Sequence, residues 1–526
     1  MFSSMNPSEA RRVARYPAMA GLRRRGMALT ASVLFLFGQP LLADVVEQGP
    51  KDAKPSGLLA GVAKANITPA AGIPQQNWGS QTHVVAKGID PAGMFLRALV
   101  LSDGRQKFAL VDVDAISVAG WDDAIGRASA LTGIPANHIR LGATHTHSGP
   151  SLSRDKGPVG ADVSQYERMM ESHRAVLADK LVGAIFEANG QLRPVHAHGR
   201  VGTGSIDINR RFRGQGDEMP PAVGLNPDGF TDRELVVIRI DDAQGNPYAV
   251  LVNFQCHGTV LAYENQYISP DWIGAMRNTV EASLPGATCL YFQGAAGNQG
   301  PTEGFTGDLE VAHRLGSILG HEAAALALRI DTVRREPRFE GYIESTALQA
   351  KQPYRVSSPR DAGLIYTSKT LDLPRRTYTA AEIERTARLA AAARKKVEEV
   401  ERTHGSAWDQ YQARARHRRY AGLLERWQRP VDATPVKLEV AVLRIGETAL
   451  VLTNGELFAE IGAAVKKAST FKVTMFCGYG NRVGDGYMPV RSEYALGGYE
   501  VDNTPYDAGA AEKVVEEAVA LLNSVQ

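Results

Sequence analysis

From Leu58 to about Arg335 the chain alternates short apolar runs of strand length with longer runs of helical period, and this alternation limits the fold more than any other feature. Residues 95–101, the turn Ser102-Asp103-Gly104 and residues 108–113 read as one hairpin. Residues 235–240, the turn 241–246 and residues 248–256 read as another. Helical spacing runs through 165–188 and 311–328. Hairpins bring antiparallel pairs and helices between strands bring parallel ones, so the expected class is α/β, with a mixed sheet core and flanking helices rather than a bundle or a sandwich. No internal repeat of about 20 to 50 residues is present.

Residues 375–430 break the alternation. Thr379-Ala380-Ala381-Glu382 has the form of a capping box, Ala and Leu recur through Ala393, charges dominate from Arg394 to Arg402, and Gly405 is the expected stop. With a second helix over 408–427, the segment reads as a helical hairpin, either an insertion in the main domain or a lid. Strand patterning resumes at 436–443, and a helix is expected over 508–522.

Arg23, Arg24 and Arg25 precede an apolar run from Met27 to Phe37, and Leu41-Leu42-Ala43 offers a small residue before Asp44. That is the layout of an export signal. The expected organisation is a signal peptide over 1–43, a flexible linker over 44–57 carrying Pro50 and Pro55, and a single catalytic domain over 58–526. The location is then periplasmic or secreted, with an uncleaved anchor as the alternative. The apolar run is short of the roughly 20 residues that a membrane span needs, so no integral span is expected after signal removal.

Lys plus Arg number 59 against 57 Asp plus Glu, a formal charge of +2 that gives no electrostatic reason for a nucleic-acid partner. The three cysteines, Cys256, Cys289 and Cys477, lie in apolar segments and read as buried small side chains rather than as a disulfide framework.

Four stretches carry metal-ligand chemistry: Ala143 to Pro150 with His145 and His147, Cys256-His257-Gly258, Asn454-Gly455-Glu456, and Gly486-Tyr487 followed by Tyr499. A catalytic zinc site uses three or four nitrogen or oxygen ligands and keeps one position open. His145 and His147, two apart at the end of an apolar run, are read as sharing one face of a strand that leaves into a Gly-Pro turn. His196-Ala197-His198 has the same spacing, but it lies among arginines on a strand read as exposed, and it is set aside. Ser148 reads as a turn hydroxyl bonded to local backbone, the pair Asp112 and Asp114 as strand-end carboxylates, Asp271 as a support to the site, and Gly294 to Gly297 as a tight strand-to-helix connection.

The Ala143 to Pro150 stretch resembles the Thr-His-Thr-His-Ser-Gly-Pro signature of the neutral/alkaline, non-lysosomal ceramidase family, and the resemblance runs from Gly61 to about Tyr499 in motif order and approximate spacing. It implies a Zn2+ ion held by His145, His257, Glu456 and Tyr487. It also implies that Arg210, in the pair Asn209-Arg210, touches substrate or transition state, and that His147 and Tyr499 stabilise an oxyanion or move protons. The activity implied is hydrolysis of an amide (N-acyl) bond by metal-activated water, with a small-molecule or lipid-like N-acyl substrate.

The chain departs from that pattern at two points. The family's serine, in a Gly-Asn-Leu-Ser-Pro type of turn, is matched here by Gly300 in Gly297-Asn298-Gln299-Gly300-Pro301, which removes a serine acyl-enzyme route at that position and weakens the case for ceramide itself. The C-terminal β-sandwich of many members has no counterpart in the sequence up to Gln526. A zinc esterase or lactonase and a noncatalytic binding protein on the same fold are the alternative readings.

Overall fold

The computed structural model describes residues 57–76, 83–151, 162–214, 220–358, 360–430, 434–481, 484 and 486–526. The expected signal peptide and all of the expected linker but Gly57 lie outside the described residues.

Eight strands form the larger sheet: β1 (Leu59–Asn66), β2 (Phe95–Ser102), β3 (Lys107–Val113), β4 (Ile139–Ala143), β5 (Arg193–Thr203), β6 (Glu234–Asp242), β7 (Pro247–Phe254) and β8 (Thr288–Gln293). Their order across the sheet is β8-β7-β6-β5-β1-β2-β3-β4. The two expected hairpins are the antiparallel pairs β2–β3 and β6–β7. Only the outermost pairs, β3–β4 and β7–β8, are parallel. Each needs a crossover helix, supplied by α1 (Asp122–Thr132) in the first case. The long α2 (Glu167–Gly190) follows β4, and α3 (Trp272–Ser283) makes the second crossover, ahead of α4 (Leu309–Leu328).

A smaller sheet repeats the device. It consists of β9 (Leu364–Leu373), β10 (Val436–Ile445), β11 (Thr448–Thr453) and β12 (Val473–Cys477), with β11 and β12 parallel. Between β9 and β10 lies the helical hairpin α5 (Ala380–Arg402) and α6 (Ala407–Gln428). Helix α7 (Ala459–Ala468) crosses from β11 to β12, and α8 (Ala510–Ser524) closes the chain.

The apolar pattern explains the layering. Along β2, Leu96, Ala98 and Val100 pack with α1 and α2, while Leu99 and Leu101 pack against the smaller sheet, on Leu443, Leu450 and Met475. A strand buried on both faces needs a continuous apolar run, which is how its sequence reads. The outer face of the smaller sheet meets α7 and α8 through Phe458, Val465, Val514 and Leu522. The result is a stack of helices, sheet, sheet and helices. Burying each such side chain is worth about 1.5–3 kcal/mol. The mixed α/β core with flanking helices and a helical-hairpin insertion is therefore what the chain folds into.

Several local readings change. The capping box forms in both directions between Thr379 and Glu382. Helix α5 ends differently from the expected Gly405 stop: His404 takes the left-handed conformation, with φ 50°, and Gly405 donates its N–H to the Val400 carbonyl. A Cβ on Gly405 would stand 2.7 Å from Val400 Cγ1, so close approach rather than positive φ requires the glycine. His196 and His198 lie on β5, inside the larger sheet rather than on an exposed strand, with His196 buried and His198 Nδ1 3.5 Å from Glu447. Asp112 and Asp114 clasp the buried Arg277 as well as backbone N–H groups of Tyr291 and Phe95. All three cysteines are free and buried, as read. Among the described residues no helix is long and apolar enough to cross a membrane.

Candidate metal centre and active site

Each of the three parallel pairs within the two main sheets releases its chain toward the same place. His145 follows β4, His257 follows β7, Glu456 follows β11 and Tyr479 follows β12. Carboxyl ends of parallel strands are where open α/β sheets place their ligands, because the crossover leaves a crevice there.

His145 is not on a strand face. Strand β4 ends at Ala143, and His145 takes φ 61°, held by its own N–H to Ala115 O at 3.0 Å and by Thr144 N–H to Val113 O at 2.9 Å. This left-handed residue, costly for anything but glycine, turns the chain so that the rings of His145 and His147 meet edge to face, with centroids 4.7 Å apart. The expected strand periodicity therefore gives way to a strained turn.

His145 Nδ1 donates to Ile116 O at 2.7 Å, and His257 Nδ1 donates to Ala296 O at 2.7 Å. A carbonyl partner fixes the proton on Nδ1 and leaves the Nε2 lone pair pointing inward, the arrangement that orients metal-binding histidines. The three Nε2 atoms converge. His147 Nε2 is 3.2 Å from His145 Nε2, while Glu456 Oε2 is 3.1 Å from His257 Nε2 and 3.5 Å from His145 Nε2. Two inward lone pairs, a third imidazole and a carboxylate face one another with few protons among them, a donor set that suits a divalent cation. His145, His147 and His257 together can hold a metal ion, which adds His147 to the ligands inferred from the resemblance. Nitrogen and oxygen donors suit zinc among several first-row ions, so they leave the metal's identity open.

Two of the three imidazoles, those of His147 and His257, are held neutral by their surroundings. Burial, then the charge of Arg210, pushes His257 down to about 3. Burial and the neighbouring imidazoles hold His147 well below its ordinary value. Burial alone would raise Glu456, but the close approach of the His145 and His257 imidazoles outweighs it and keeps the carboxyl well below the usual range.

On the other side stand the remaining residues singled out in the sequence. Glu456 pairs with Tyr487 in a two-residue parallel ladder, Glu456–Leu457 beside Tyr487–Met488. The Tyr487 hydroxyl accepts from Arg210 Nη2 at 3.1 Å, and the Tyr499 ring lies 5.6 Å from the Tyr487 ring. Arg210 is 2% exposed and is held by Glu500 through Nε at 3.2 Å. All seven residues thus gather around one centre. Gly300 lies on Gln299–Pro301, paired with Ile208, and a Cβ there would meet Arg210 Cβ at 3.3 Å.

Supporting residues fall into place as well. Asp271 caps α3, accepts from the N–H groups of Val260 and Leu261, and lies beside Trp272, whose Nε1 donates to His257 O at 3.0 Å. Ser148 is buried and accepts from Asn265 Nδ2 at 2.9 Å, a side-chain partner in place of the expected backbone one. Gly294 to Gly297 is a strand-to-strand turn rather than a strand-to-helix one, because it leads from β8 into Gln299–Pro301.

Two residues of the site escape sequence reasoning. The Tyr479 ring lies 4.5 Å from the His145 ring, and its buried hydroxyl has no hydrogen-bond partner among the described residues. Its only signal is the pattern Gly478-Tyr479-Gly480 just after a strand. Glu500 binds both Arg210 and Arg211, the latter at 2.7 Å, and looks like an ordinary helix-start acid in the sequence.

The hairpin α5–α6 touches two sides of this region. Arg419 reaches Asp502 at 3.4 Å and Arg426 reaches Asn503 at 3.0 Å, just beyond Tyr499. At the other end of α6, Trp408 stacks on Tyr263, six residues after His257, with centroids 6.3 Å apart.

No family model matches the chain. Neutral ceramidases A and B of Dictyostelium discoideum are each 28% identical to it, over 158 and 136 residues, covering 28% and 26% of this chain and 21% and 18% of theirs. Neutral ceramidase of Pseudomonas aeruginosa is 28% identical over 172 residues, 31% of this chain and 24% of that protein. The chain thus spans about a quarter or less of the length of the relatives it matches in sequence. In three dimensions the match is broader. The crystal structure of the Pseudomonas aeruginosa enzyme superposes with a TM-score of 0.58 at 20% identity, covering 90% of this chain and 75% of that one. A ceramidase complexed with C2 gives 0.57 at 19%, covering 89% and 75%. At such identities the superpositions establish the fold, and with the sequence matches they make the chain a distant homologue of the neutral ceramidases that carries the ceramidase fold over most of its length.

Proposed function

We propose that the protein is an exported zinc-dependent hydrolase that cleaves an N-acyl bond with water. The observation that carries this reading is the convergence of the His145, His147 and His257 rings on one another, with the Glu456 carboxylate against His145 and His257 and two Nδ1 protons pinned on carbonyls. A zinc ion bound there supplies Lewis-acid activation of water and of the acyl oxygen. His145, His257 and Glu456 hold it, with Tyr487 beside Glu456, and His147 serves as a further ligand or as a proton carrier. Arg210, fixed by Glu500, would offer positive charge to the acyl oxygen as negative charge develops on it, and the Tyr499 hydroxyl would donate a proton. With glycine at position 300, no side chain competes with water as nucleophile there.

An amide is favoured over an ester because the sequence relatives are neutral ceramidases. Metal analysis of the purified protein, beside His145→Ala and Glu456→Ala, tests the centre. The expected result is one zinc per chain, lost from both variants together with hydrolysis of N-acyl substrates. Full zinc in both variants would remove the centre from the mechanism, and hydrolysis surviving complete chelation would remove the metal.

A further inference from the structure

Beside the metal-type centre, and separate from it, lies a cavity of about 730 Å³ between the end of β3 and the helices α1 and α2. That is within the roughly 300–1,000 Å³ range of small-molecule sites. Its lining is largely apolar, with Val113, Trp121 and Leu177 among the contributors. It shares a wall with the centre: Thr146, between the two motif histidines, and Ile116, whose carbonyl holds His145 Nδ1, both line it. The shared wall puts the cavity directly behind the turn that carries both motif histidines.

Gln76, Asp114, Asp123 and Arg174 also contribute to the lining, but His173 stands apart from them. His173 lies on the inner face of α2 between the buried Met170 and Leu177 and is itself only 9% exposed. Its Nε2 is buried with no hydrogen-bond partner. Burial lowers its proton affinity, so the ring is neutral and carries one donor and one acceptor. An unpaired polar group in an apolar wall is costly, and a ligand that completes it is selected over one that does not.

We propose that this cavity receives the acyl chain of the substrate and that His173 selects chains bearing a hydroxyl group over plain hydrocarbon chains. The inference rests on the N-acyl hydrolase reading for what lies at the other end of the ligand. A hydroxyl fits because it can both donate to and accept from a neutral imidazole.

The test uses the full chain carrying Glu456→Ala, so that nothing turns over, and measures calorimetric binding of decanamide and of its 3-, 6- and 10-hydroxy derivatives. At least one hydroxylated isomer should bind about tenfold more tightly than decanamide, which corresponds to about 1.4 kcal/mol. The preference should vanish with His173→Leu, persist with His173→Gln, and all binding should weaken with Ala178→Trp, which fills the cavity. His173→Leu places an apolar side chain on an apolar helix face, so the variant is expected to fold, with unchanged circular dichroism. Equal affinities for all four probes, a preference that survives His173→Leu, or binding untouched by Ala178→Trp would each overturn the proposal. Turnover of N-decanoyl amides by the unmodified protein is read separately. Its absence with the binding pattern intact would sink the hydrolase reading and not the cavity, and its presence with no binding pattern would do the reverse.

Discussion

Gly297→Ala is the sharpest single perturbation of the centre, because it touches two proposed ligands without altering either. A Cβ at Gly297 would stand 2.3 Å from Glu456 O and 2.9 Å from Leu457 O, whereas ordinary contact begins near 3.4 Å. The Glu456 backbone must therefore retreat by about 1 Å, or the turn must back away by as much. Neither is easy. Gly297 N–H is bonded to Leu457 O at 2.8 Å, and Glu456 is held from the far side by its own N–H to Gly486 O at 2.8 Å. The preceding residue, Ala296, supplies the carbonyl that fixes His257 Nδ1, so a shift of the turn rotates His257 as well. Overpacking of this kind costs about 1–3 kcal/mol of stability. A misplacement near 1 Å at a reacting centre costs on the order of a hundredfold in rate. Zinc affinity by competition with a chromogenic chelator, thermal unfolding, and hydrolysis of an N-acyl substrate should all fall together. The control is Gly183→Ala in α2, where an added Cβ meets nothing within 4 Å. That substitution should stabilise the helix by roughly 0.5–1 kcal/mol and leave the metal alone. Zinc affinity within threefold of the parent, with unchanged melting, would refute the claim that the Gly297 turn and Glu456 form one rigid unit.

Three further outcomes follow from the same contacts. Asp207 is fully buried with neither carboxylate oxygen hydrogen-bonded, and burial pushes it up to about 8. Its folded-state affinity for a proton exceeds that of the unfolded chain, so it drains stability as pH rises from about 4 to about 8, by at most about 6 kcal/mol at 1.36 kcal/mol per tenfold change. Asp207→Asn should match the parent in melting temperature at pH 4 and exceed it increasingly toward pH 8.5, and a constant gap across that range would refute the assignment. Trp427 stacks on Tyr378 at 4.4 Å and joins Tyr420 and Leu423 in the small core of the α5–α6 hairpin. Trp427→Ala should cost the hairpin about 3–5 kcal/mol, seen as amide exchange that rises over α5 and α6 while β2 and β7 keep their protection. Gly300→Ser brings a Cβ to 3.3 Å from Arg210 Cβ, so it should lower hydrolysis by displacing Arg210 from Tyr487 rather than add a nucleophile, and a burst of acyl-enzyme in that variant would contradict this.

Local physics made much of the molecule legible in its sequence. The β2–β3 and β6–β7 hairpins announce themselves because turn and strand patterning are short-range, and α5 announces its start because the Thr379–Glu382 capping box closes within one turn. The order of strands does not, because β1 takes its neighbours from residues near Arg193 and near Phe95, and only packing across the whole sheet decides between such pairings. His145 and His147 were visible as a pair, but the reason they converge was not. An alternation rule assumes extended backbone, whereas φ at His145 is 61° and the ring directions follow from bonds to Ala115 and Ile116, about 30 residues earlier. Tyr479 stayed hidden for a related reason: an aromatic side chain after an apolar strand reads as core, and only the fold brings it to His145.

The three parallel pairs explain why so few residues, so widely spaced, can build one centre. In β3–β4, β7–β8 and β11–β12 a crossover helix forces the chain to leave each strand in the same sense, so each pair delivers at least one loop to the same end of the stack. Those loops are tied to one another by main-chain bonds: Ala143 N–H to Tyr479 O at 3.0 Å, His147 N–H to Gly258 O at 3.2 Å, and Gly297 N–H to Leu457 O at 2.8 Å. Backbone ties of this kind do not depend on which side chains the loops carry, so the frame can hold its geometry while individual side chains change. Position 300 illustrates the point. Gly300 keeps its place in the ladder opposite Ile208, beside Arg210, although it has no side chain to offer. What the frame holds is the convergence of His145, His257 and Glu456, and on the proposed reading substrate choice falls to the parts outside it, the cavity under α2 and the hairpin that spans from Tyr263 to Asp502.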